Sequence, residues 1–221
     1  MSPAKTTTSG DKKAKQTPAK LSNTALQALS DSALDRALAQ VNQVDPPAYV
    51  SVNKRGQVVV GRDKEAVDAE KELFLWDPLS AEAGYICWKD GSPVEERMVS
   101  VFDDPVSPET LTDHGPYEQG DGWREQVKIL GDRLATGQRV VYSPTSYGGR
   151  KTVGAMQKKA LLDMKEQGRK DLVVIASWHL GSYDHSKYGE VLTADLVVEA
   201  IVPGAEASEK ALSLLNGGKA A

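Results

Sequence analysis

One cysteine, three histidines and an aromatic content of only 6% are what this 221-residue chain offers for chemistry. Cys87 has no second cysteine to pair with, so an internal disulfide is excluded and the residue reads as a small buried hydrophobe in a reducing compartment. His114, His179 and His185 stand in no recognisable catalytic phrase. A zinc set built from His179, Asp184 and His185 lacks a fourth ligand and fits no ligand spacing, so no metal or other cofactor is expected. No apolar run approaches the roughly 18 residues of a membrane span, and the opening MSPAKTTTSGDKKAKQTPAK has no apolar centre of the signal-peptide kind. These absences predict a soluble, cytoplasmic binding protein, neither an enzyme nor a membrane partner. A net charge of -4 excludes a uniformly basic coat and leaves room for a local basic groove.

What is present divides the chain into four parts. Residues 1–20 are Lys, Thr, Ser, Ala and Pro without apolar periodicity, a disordered basic tail. Residues 21–48 carry a helical arm: Leu26, Leu29, Ala33, Leu34, Ala37, Leu38 and Val41 fall on one side, and Asp45-Pro46-Pro47 stops it. Such an arm, from Ser22 to Val41, packs either on its own domain or on a second copy as a homo-oligomer. Residues 49–203 form a β-rich domain, and residues 204–221 a C-terminal tail with one weak helix. Within the domain, YVSVNKRGQVVVGR predicts a hairpin turning at Lys54-Arg55-Gly56, and GYICWKDGSPVEERMVSVF a second one turning at Asp90-Gly91. Residues 66–77 read either as a short helix or as a strand ending at Phe74-Leu75-Trp76. Residues 103–122 are a long acidic loop. A strand from Trp123, a turn over 131–137 and a partner strand over 139–142 follow.

Residues 139–170 then read strand, Gly-rich turn, cationic helix. Pro144 ends the strand, Gly148-Gly149 loosen the backbone, and Ser146 or Thr152 is placed to cap a helix whose apolar face is Val153, Met156, Ala160, Leu161 and Met164. Lys151, Lys158, Lys159 and Lys165 take the other face. Backbone N–H groups at the helix start, beside Arg150 and Lys151, favour an anion such as a phosphate. A nucleotide-triphosphate loop is not the reading, because the pattern needs Gly directly before Lys-Ser/Thr and Arg150 stands there. Two more strands close the domain, DLVVIASWHLGSY and VLTADLVVEAIV, around the turn SYDHSKYGE.

This order predicts an α+β, predominantly β domain, a five-stranded Greek-key barrel of the oligonucleotide-binding kind with one helix between strands. The strings GYICWKDGSPVEERMV, DHGPYEQGDGW and VVYSPTSYGGRKTVGAM also resemble a family of phage and prophage proteins, mostly uncharacterised, over about residues 53–165. The resemblance implies a context of replication and recombination genes, and with it replication proteins as partners; it implies no activity. Independently, single-strand binders combine a cationic path with aromatics on which bases stack. Tyr147, Arg150, Lys151 and Lys158 at the helix, with Trp178, Tyr183, His185, Lys187 and Tyr188 around the last turn, supply that mixture. They are the candidate residues for binding single-stranded DNA. Trp178 alternates with Val174 and Ala176, so it also fits a core position, whereas Tyr147, Tyr183 and Tyr188 are expected in turns. The competing expectation is a phage structural or host-interaction protein that assembles through the Ser22 to Val41 helix and binds no nucleic acid.

Overall fold

The computed structural model describes residues 46–53, 55–187 and 189–216, with the backbone alone for His185. The tail over 1–20 and nearly all of the helical arm over 21–48 lie outside the described residues, as do Tyr188 and residues 217–221. Among the described residues, ten strands and two α-helices follow in the order β1 (Ala48–Val52), β2 (Val58–Val60), β3 (Glu65–Ala66), β4 (Phe74–Trp76), β5 (Glu82–Lys89), β6 (Ser92–Ser100), β7 (Gly122–Arg133), β8 (Arg139–Tyr142), α1 (Tyr147–Gln167), β9 (Leu172–His185), β10 (Gly189–Pro203) and α2 (Ala207–Leu215).

Both expected hairpins form. β1 and β2 pair antiparallel with Val50 opposite Val60, and β5 and β6 pair from Glu82 opposite Ser100 to Lys89 opposite Ser92. The second turns tightly because Asp90 and Gly91 both take positive φ, 53° and 72°, a geometry that Asp-Gly tolerates and most residue pairs do not. Residues 74–76 are strand, which resolves the choice left open over 66–77. Tyr183 lies inside β9, not in a turn, because the β9–β10 ladder continues to His185 opposite Gly189.

The strand order β10-β9-β4-β7-β8-β1-β2-β3 makes a curled open sheet of eight strands, a half-barrel, which is compatible with the barrel-like, predominantly β fold expected from the sequence. One link in it is parallel: Ala48 to Val50 of β1 run alongside Val140 to Tyr142 of β8. β7 belongs to two layers. Its first half, Gly122 to Lys128, pairs with β5, and its second half lies between β4 and β8. The length of β7, twelve residues, is what allows it to serve both.

The concave side of the sheet holds the core. Phe74 stacks on Trp76 at 5.7 Å between centroids, and the Trp178 ring meets Tyr142 edge-on at 4.9 Å. Alternation along β9 puts Val174, Ala176 and Trp178 into this core, while Ile175 on the opposite face packs with Leu73 and Ala211 under α2. Burial on both faces explains the unbroken apolar run LVVIA in β9. The helix α1 seats Val153, Met156 and Ala160 against the same core and buries Met164 nearer its C-terminal end. Ser146 caps it by accepting from the Gly149 N–H, and Gly168 ends it in the left-handed conformation at φ 64°.

The helix also stitches the sheet's free edge. The backbone N–H of Leu196 on β10 points away from β9 and donates to the hydroxyl of buried Thr152 at 2.8 Å. Thr152→Val keeps the shape and removes the acceptor, leaving a buried N–H unpaired. A loss of about 1–3 kcal/mol of unfolding free energy is expected in urea titrations, against near-neutral behaviour for Thr152→Ser.

Candidate nucleic-acid interface

Three of the helix's lysines recur every seven residues, at Lys151, Lys158 and Lys165, and so drift only about 20° per step around α1. Tyr147, one turn before Lys151, lies on the same stripe. All four side chains are exposed, Tyr147 at 74%. With a rise of about 1.5 Å per residue, the stripe runs roughly 27 Å along the helix. Its middle is flanked by Phe102, 58% exposed, which shares a depression with Gly154, Lys158, Leu161 and Lys165. The sequence reading passed over Phe102 because it sits at the end of an alternating strand pattern. Its place two residues past the end of β6, where an aromatic has no sheet partner to cover it, was the usable signal.

At its N-terminal end the stripe reaches a cavity of about 360 Å³ at the seam between β1 and β10. Ser146, Gly148 and Gly149 from the start of α1 line it together with Tyr183 from β9. The helix start and one member of the aromatic turn cluster, which were separate candidates in the sequence, therefore border one groove. Close packing forces glycine here: a Cβ on Gly149 would lie 2.5 Å from Pro144 and 2.9 Å from the Tyr142 hydroxyl. Gly149→Ala is expected to lower stability by about 1–3 kcal/mol, with a matching fall in the urea midpoint, because both neighbours are rigid.

The other candidates are placed as follows. Trp178 is 1% exposed, wedged among Phe74, Trp76 and Tyr142, so it is a core residue and no stacking platform. Arg150 turns away from the groove and pairs with Glu125 on β7, which withdraws it as a phosphate ligand. Tyr183 is half exposed and Lys187 is exposed, each already engaged in the fold. His185 contributes its backbone to β9, and Tyr188 is outside the described residues.

Charge around the groove is mixed. Asp195 lines the seam cavity opposite the helix start. Burial first, and the Asp195 carboxylate second, push the Tyr142 phenol well above its ordinary pKa, so it remains a protonated donor at any physiological pH. The acidic loop is packed down on the outer layer. The Trp123 indole N–H donates to the Thr112 carbonyl at 2.8 Å, Lys89 donates to the His114 carbonyl at 2.7 Å, and the His114 ring meets Glu95 at 2.5 Å. Hydrogen bonds from Arg97, and secondarily His114, hold Glu95 below the usual carboxylate range. No helix among the described residues is long and apolar enough to cross a membrane. No protein-family profile matches the chain, and neither the curated proteins nor the solved structures hold a significant match. The likeness to phage proteins rests on the three sequence strings alone.

Proposed function

We propose that this protein binds single-stranded DNA without catalysing a reaction, along the outer face of α1. The observation that carries this is the stripe of Tyr147, Lys151, Lys158 and Lys165 with Phe102 beside it. Lysines spaced about 10 Å apart meet a phosphate backbone, and exposed rings between them offer surfaces on which bases stack, each for about 1–3 kcal/mol. Neither element selects a base, so binding is sequence-tolerant. In this reading the curled sheet is an incomplete barrel of the oligonucleotide-binding kind, open between its edge strands β10 and β3, with α1 packed on its β10 side. The setting is phage or prophage replication or recombination, which the resemblance implies.

The test is anisotropy of a labelled oligo-dT at two salt concentrations. Micromolar or tighter binding that weakens with salt is expected; no binding at low salt ends this reading. An assembly role has one observation in its favour. Leu79, Phe102, Leu161 and Met164 line an apolar groove of about 640 Å³ beside Lys165 and Arg169. Under that role the protein's mass in solution grows with concentration and Phe102→Asp abolishes the growth.

A further inference from the structure

The seam cavity contains a polar group that the fold leaves unused. Tyr142 is the last residue of β8, only 5% exposed, with its ring held between Trp76 and Trp178. Its hydroxyl lies against Gly149 at the cavity wall and makes no hydrogen bond among the described residues. The phenol therefore opens onto the cavity as a donor that no described protein group takes up, free to meet a partner that arrives from outside.

The walls say what kind of partner. Val50, Val52, Val191 and Ala194 make part of the wall apolar, Ser and Thr hydroxyls make up much of the rest, and Asp195 adds an acceptor to the same cavity as the Tyr142 donor. A lone phosphate is a poor occupant, since the Asp195 carboxylate repels it. A flat heteroaromatic group suits all of these features. Its faces meet aliphatic walls, its edge carries both an acceptor for the phenol and a donor for the carboxylate, and the Tyr183 ring stands at the same cavity. On these grounds we propose that the cavity receives one unstacked nucleobase from a strand bound along α1, with the Tyr142 hydroxyl bonded to the base edge. The inference rests on the single-strand reading above and adds a base pocket to it. A base with an exocyclic amine, such as cytosine, suits Asp195 better than thymine does.

The experiment compares two labelled 12-mers, oligo-dC and a strand of the same charge made of abasic sugar phosphates, on wild type, Tyr142→Phe and Val191→Trp. Tyr142→Phe removes one oxygen and keeps the ring contacts; Val191→Trp fills the cavity from its edge. Wild type is expected to favour oligo-dC at least tenfold over the abasic strand. Tyr142→Phe is expected to lose about fivefold on oligo-dC and nothing on the abasic strand, the effect of one hydrogen bond. Val191→Trp is expected to remove most of the remaining preference. Equal losses on both strands, or an unchanged preference in both variants, overturn the base pocket while leaving strand binding in place. Failure of wild type to bind either strand at low salt overturns both.

Discussion

Replacing Lys151, Lys158 and Lys165 together by alanine is expected to weaken oligo-dT binding by at least about tenfold at low salt and to flatten its salt dependence. The second effect is the more telling. For single strands each neutralised phosphate contributes about 0.7 to the slope of log affinity against log salt, so three lost contacts lower the slope by about 2. The lysines are exposed and make no contact with the core, so the variant should unfold at the wild-type urea concentration. Lys159→Ala, off the stripe by just over a quarter turn from Lys158, is the matched control and should move the slope little. A triple variant with an unchanged slope would show that phosphates do not run along α1.

Trp178→Ala is expected to cost about 3–5 kcal/mol, enough to unfold much of a marginally stable population at 37 °C. The side chain is fully enclosed, with Phe74, Trp76 and Tyr142 each contributing a ring contact, and truncation leaves a void that a sheet paired on both sides closes poorly. Trp178→Phe should cost far less. Part of the reason is that the Trp178 indole N–H is buried with no partner among the described residues, and phenylalanine removes that donor. Urea unfolding of the two variants checks the contrast. A Trp178→Ala protein with wild-type stability and lost DNA binding would return this residue to the interface.

Local chemistry explains which parts of the fold were legible in the sequence. Asp90-Gly91 between two β-branched runs specifies its own turn, and the spacing of Val153, Met156, Ala160 and Met164 specifies a helix face, so both features were readable without knowing the partners. What eluded sequence reasoning depends on distant pairing. Nothing local in Ala48 to Val50 announces a parallel neighbour some ninety positions on, and nothing in the β7 sequence shows that its two halves face different strands. The strand count was not readable for this reason: short strands such as Glu65–Ala66 acquire their identity only from a ladder built elsewhere. The candidate residues divide the same way. The exposure of Lys151 and Lys158 was readable because a helix surface follows from period alone. The pairing of Arg150 with Glu125 was not, because Glu125 approaches it from another element, and the exposure of Phe102 depends on where the loop after β6 leaves the sheet.

The doubly used strand β7 has a consequence for how the protein comes apart. Had each layer owned its strands, the β5–β6 hairpin would be free to melt by itself. Because Gly122 to Arg133 is one continuous strand shared by both, peeling the hairpin exposes the start of the strand that β4 and β8 also need. Fraying and global melting are thereby coupled, and the amides in the middle of β7 belong to the slowest-exchanging set in the molecule.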